Sequence, residues 1–122
     1  KGAILSKQIA VMKYTYEFSD GELFAIDTVT NPLYINAVWA WNYNWYSPIK
    51  PNWLGGDQLP PYDTLSKTTG KEKYLFLIID ETPRIPDVYR EHAIKNLKKY
   101  GKLVEEKSFD GITVMTFVNR KF

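Results

Sequence analysis

The sequence predicts an α/β domain: a small mixed four-stranded sheet with helices on both faces, closed by a C-terminal β-hairpin. Three observations carry that prediction. In Tyr74-Leu75-Phe76-Leu77-Ile78-Ile79-Asp80-Glu81 the side chains are apolar in both alternating sets, as in a strand whose sheet is covered on both faces. Stretches with helical apolar spacing alternate with stretches of strand composition along the chain. Near the C-terminus two strand-like runs flank Asp110-Gly111, a dipeptide suited to the tight turn of a hairpin.

The elements follow in order. Leu5, Ile9, Met12 and Tyr16 fall at i, i+4, i+7 and i+11, one face of a first amphipathic helix. Ser19-Asp20-Gly21 ends it, with Gly21 free to take the positive φ that follows many helices. Leu23 to Val29 mixes aromatic and β-branched residues over a strand's length. Asn31-Pro32 then starts a second helix, expected over Leu33 to Tyr46 and stopped by Ser47-Pro48. It carries two aromatic stripes: Tyr34, Val38, Trp41 and Trp45, and Ile35, Trp39, Tyr43 and Tyr46. A two-layer contact needs only one stripe, so some of these rings are expected at the surface.

Residues 48–70 read as a long loop laid down on the domain, with prolines at 48, 51, 60 and 61 and the anchors Trp53, Leu59, Tyr62 and Leu65. The 74–80 strand follows. Pro86-Asp87 opens a third helix with a carboxylate at its positive end. Its inner face is expected to be Val88, Tyr89, Ala93, Leu97 and Tyr100, and Gly101 closes it. Leu103 to Phe109 and Ile112 to Val118 form the hairpin. A strand–helix–strand unit makes its strands parallel, so the hairpin supplies the antiparallel edge.

The bulk properties bound function more than they name it. A chain of 122 residues, 44% hydrophobic, makes one domain, 1–122, with one core. The net charge of +2 generates no field that would gather nucleic acid. Without cysteine there is no disulfide framework, thiolate nucleophile or thiol-ligated metal. A start at Lys1-Gly2 reads as a piece excised from a larger protein.

Several residues stand out. Asp80 and Glu81 end the central strand and Asp27 lies near the end of the first. Converging carboxylates would hold a cation or work as an acid and base, although neighbours on a strand point to opposite faces. A turn or a pairing with Arg84 accounts for Asp80 and Glu81 more simply. His92 is the single histidine, mid-helix among charged residues, and reads as structural. The serines lack a nucleophile-elbow context, Gly55-Gly56 lacks phosphate-loop spacing, and Lys95, Lys98, Lys99 and Lys102 read as a solvated face. The aromatic set Tyr34, Trp39, Trp41, Tyr43, Trp45, Tyr46 and Trp53 is the candidate binding surface. Indole and phenol rings offer apolar faces for stacking and polar edges for hydrogen bonding, a chemistry that suits sugars, membrane interfaces and protein partners.

Three segments carry a resemblance when taken in order: Phe24-Ala25-Ile26-Asp27-Thr28-Val29, the helix with Trp39-Ala40-Trp41-Asn42-Tyr43, and the 74–81 strand with its closing hairpin. Over about residues 5–118 the chain resembles the C-terminal extracytoplasmic domain of polytopic membrane glycosyltransferases of the GT-C type, related to dolichyl-phosphate-mannose protein mannosyltransferases and aminoarabinose transferases. The resemblance implies a parent integral membrane enzyme that moves sugar from a polyprenyl-phosphate donor, with a divalent cation, on the outer side of the cell membrane. The family's catalytic carboxylates lie in loops absent from this chain. The implied role is therefore non-catalytic, with no cofactor or metal of its own. The implied partners are the transmembrane part of the parent, the membrane surface and a sugar or glycan acceptor. One departure is local: the family helix ends in an aromatic pair followed by glycine, whereas Trp45-Tyr46 here runs into Ser47-Pro48. The residues also admit a free-standing carbohydrate- or protein-binding module on the same aromatics, or a small α/β enzyme built on Asp27, Asp80 and Glu81.

Overall fold

The computed structural model describes residues 2–30, 37–54, 71–81 and 84–122. Along these the elements run α1 (Gly2–Phe18), β1 (Ala25–Val29), α2 (Ala37–Tyr46), β2 (Asn52–Trp53), β3 (Tyr74–Asp80), α3 (Asp87–Tyr100), β4 (Gly101–Ser108) and β5 (Ile112–Asn119). The described strands form one mixed sheet in the order β2-β1-β3-β5-β4. β1 pairs in parallel with both β2 and β3, from Ala25 opposite Leu75 to Val29 opposite Ile79. β5 is antiparallel to β3 and β4. The sheet thus has five strands, not the four expected from sequence. The addition is the two-residue β2, inside what the sequence presents as a continuous loop. Its ladder bonds are Asn52 N–H to the Phe24 carbonyl at 3.0 Å and Leu54 N–H to the Ile26 carbonyl at 2.9 Å. Two residues are too few to show a period of two, and Pro51 beside them argues locally for a loop.

β3 sits in the middle and divides the core in two. Leu75, Leu77 and Ile79 face one layer with Ala25, Val29, Ile85, Ala93 and Leu97, which α3 covers. Phe76 and Ile78 face the other with Val11, Met12, Phe24, Ile26, Trp39 and Tyr43, which α1 and α2 cover. Helices therefore pack on both faces, as the two-sided apolar run requires. The second layer is lined with rings: Phe76 meets Phe24 edge-on at 5.1 Å and Phe18 at 6.0 Å.

The inward side of α1 is rotated from the expected stripe. Gln8, Val11, Met12 and Thr15 are buried, while Ile9 and Tyr16 reach solvent. Polar residues take inward positions because each finds a partner on α2. Thr15 Oγ1 lies 2.8 Å from the Tyr43 hydroxyl, and Asn42 Nδ2 donates to Gln8 Oε1. On α3, Ala93, Asn96 and Leu97 are buried, but Val88, placed inward by its spacing, is exposed, and Tyr100 is about one-third exposed (36%).

The turns follow their residues. Asp20 and Gly21 both have positive φ (58° and 75°), and Gly21 N–H bonds the Tyr16 carbonyl at 3.1 Å. Asp110 and Gly111 (50° and 94°) make the two-residue turn of the β4–β5 hairpin. Gly101 differs from expectation. Its backbone is extended (φ −136°), so helix termination there does not use a left-handed glycine. A Cβ at this position would lie 2.8 Å from the Phe117 Cβ and 3.3 Å from the Val118 carbonyl oxygen. Close approach of β4 to β5 is what demands glycine.

Candidate functional site

α2 has the sequence AVWAWNYNWY, without a charged residue, and its side chains leave in four directions. Trp39 and Tyr43 point to the sheet and are fully buried, so these two candidate binding residues belong to the core. Asn42 and Tyr46 lean toward α1. Ala40 and Asn44 lean toward β2. Val38, Trp41 and Trp45 face outward, with Trp41 66%, Trp45 71% and Tyr46 53% exposed. Of the two stripes in the sequence, one packs through Trp39 and Tyr43 while its Tyr46 stays exposed, and the described residues of the other, Val38, Trp41 and Trp45, do not pack. Tyr34 lies outside the described residues.

The exposed rings border two concavities. Between α1 and the end of α2, Ile9, Met12, Tyr16, Tyr46 and Pro48 line a cleft of about 180 Å³ with Lys13 at its edge. Between α2 and β2, Trp41, Tyr43, Trp53, Asn44, Lys50 and Pro51 line an open groove of about 450 Å³, within the size range of small-ligand sites. Trp53 is half-buried and held firmly. The β2 ladder fixes its backbone, and its ring meets Tyr43 edge-on at 5.7 Å and 81°. Tyr43 is fixed in turn through its hydroxyl to Thr15. Burial pushes the Tyr43 phenol well above its ordinary range, so it stays protonated at neutral pH. Sequence reasoning missed Asn44 and Lys50, although the helical wheel of α2 puts Asn44 beside Ala40, one step round from the exposed stripe.

The carboxylates do not assemble. Asp80 lies on the α2 side, where it accepts a hydrogen bond from Trp39 Nε1 at 3.0 Å. Glu81 lies on the α3 side and pairs with Arg90 at 2.6 Å, and Arg90 also reaches Asp87 at 2.8 Å. The partner of Glu81 is therefore Arg90; Arg84 pairs with Asp87 at 3.3 Å. Asp27 is buried in mid-strand opposite Leu77, about 13 Å along the strand from Glu81, with Oδ1 accepting from Thr28 N–H at 2.9 Å. Among the described residues no group of three His, Cys, Asp or Glu side chains is arranged to hold a metal ion.

Other polar groups serve the fold. Glu72, buried at the start of β3, accepts from Asn52 Nδ2 through its carboxylate and from Asn119 Nδ2 through its carbonyl, tying the ends of β2, β3 and β5. Lys95, Lys98, Lys99 and Lys102 are exposed, as read, and Arg120 caps the Lys98 carbonyl at 2.9 Å. Asn96 is buried on α3 with neither amide atom bonded, and nothing in its sequence context marks it. No helix among the described residues is long and apolar enough to cross a membrane. No protein-family model, curated protein or solved structure matches the chain.

Proposed function

We propose that the chain is a non-catalytic, extracytoplasmic domain of a membrane glycosyltransferase, which helps to hold the sugar acceptor or to assemble the site beside the membrane-embedded catalytic part. In this reading the polyprenyl-phosphate sugar donor and a divalent cation belong to the catalytic part of the parent. The observation that carries the reading is the uncharged face of α2. Trp41, Trp45 and Tyr46 stand in solvent with Val38, next to Ile9 and Tyr16 of α1. Solvated helix faces carry charge, and an apolar aromatic face of this kind marks a surface that meets a partner or a membrane. Tryptophan and tyrosine with lysine at the margin, here Lys13, suit the polar–apolar boundary of a bilayer and the protein beside it.

The groove between α2 and β2 favours a second reading, a free-standing carbohydrate-binding module. An enzyme centred on Asp27, Asp80 and Glu81 has less support, because those carboxylates diverge and are engaged elsewhere. The full reading frame around this chain separates the first two. Apolar segments of about 20 residues encoded in the same frame are expected for the glycosyltransferase. A frame that lacks them overturns that reading and leaves the module.

A further inference from the structure

We infer that the groove between α2 and β2 is a binding site for a pyranose that carries a negative charge, such as a uronic acid. The inference deepens the reading of this chain as a domain that handles sugar, and it is independent of the membrane-enzyme setting. Its walls carry two rings, the exposed Trp41 on the helix and the half-buried Trp53 on the strand, with the buried Tyr43 packed behind Trp53. One face of a pyranose presents C–H bonds to such rings, while its hydroxyls at the periphery seek donors and acceptors. The groove meets both demands. Asn44 supplies an amide with two donors and one acceptor at the rim.

Charge narrows the class of ligand. Among the described residues Lys50 is the only charged one lining the groove; it is exposed and pairs with no carboxylate of the described residues. Its ammonium brings three hydrogen-bond donors and a positive charge to a lining whose other described residues are neutral. A carboxylate on the sugar is the complementary group. Trp53 is also positioned before any ligand arrives. β2 is hydrogen-bonded on both sides of Trp53, at 3.0 and 2.9 Å, and Tyr43 is anchored to Thr15 at 2.8 Å. A prearranged stacking surface lowers the ordering cost of binding.

Titrations of the chain with methyl glucuronide, methyl glucoside and inorganic phosphate, followed by tryptophan fluorescence, test this. The glucuronide is expected to give a saturable change, with the glucoside about fivefold weaker and phosphate alone without effect. Trp41→Ala is expected to weaken both sugars about tenfold, and Lys50→Gln to bring the glucuronide to the level of the glucoside. Both side chains are exposed, so neither variant threatens folding. No saturation with the glucuronide at tens of millimolar, an equal response to phosphate, or indifference to Trp41→Ala would overturn the inference. If the two sugars bind equally and both depend on Trp41, the charged-ligand assignment fails while the sugar-handling reading stands.

Discussion

At the scale of single residues, the same residue type does different work according to what lies against it. Gly21 and Gly111 are glycines for their backbone angles, with φ of 75° and 94°. Gly101 is a glycine for space, because Phe117 and Val118 leave none for a Cβ. Gly101→Ala is therefore expected to destabilise the protein by about 1–3 kcal/mol through overpacking, read as a lower urea midpoint with an unchanged slope. The tryptophans divide in the same way. Trp39 fills the core and donates to Asp80, whereas Trp41 has its ring in the open. Composition singles out the aromatics as a group, and the helical period sorts them into two stripes. Which stripe packs was not legible, since both are equally apolar.

At the scale of elements, α2 is the part whose two sides have separate tasks. Its inner side builds the layer over Phe24, Ile26, Phe76 and Ile78, and its outer side contributes nothing to that layer. Trp39→Ala should cost about 3–5 kcal/mol, since it removes a fully buried indole and the donor to Asp80. Trp45→Ala should change stability by no more than about 0.5 kcal/mol. Thermal or urea unfolding of the pair measures both. Similar losses in the two variants would mean that the outer face is not free. β2 makes the complementary point. It provides the edge from which Trp53 faces the groove, yet its two residues carry no strand pattern; its existence depends on β1 lying alongside.

At the scale of the whole molecule, α1 is tied to the sheet and to α2 through two tyrosine hydroxyls, both of which titrate far above neutral pH. Tyr14, on α1, donates to Glu105 of β4 and lies 3.3 Å from Thr116 of β5. Burial first, and then the bond to Glu105, pushes its phenol from 10.0 up to about 12. Tyr43 is shifted in the same direction by burial. A phenol raised on folding keeps its proton where the unfolded chain has lost it. Its contribution to stability is therefore full below about pH 10 and is lost as pH rises through the folded value. The urea midpoint is expected to fall between pH 10 and 12, and Tyr43→Phe should fall less steeply there while starting lower at pH 7 by about 1 kcal/mol for the lost bond to Thr15. Parallel curves for the two proteins would show that Tyr43 is not shifted.

The class of fold, the central place of the 74–80 strand, the hairpin at Asp110-Gly111 and the aromatic nature of α2 were all readable in the chain. Each rests on a period, a turn dipeptide or a composition that spans only a few neighbouring residues. The fifth strand, the rotated inner side of α1, the partner of Glu81, the separation of Asp27 from Glu81 and the groove that joins Trp41 to Lys50 were not. Each of these depends on which distant residue lies opposite: Phe24 and Ile26 for β2, Tyr43 and Asn42 for the polar residues of α1, Arg90 for Glu81. Backbone geometry repeats along the chain and shows in local pattern, whereas a groove or an ion pair forms only where packing brings remote side chains to one place.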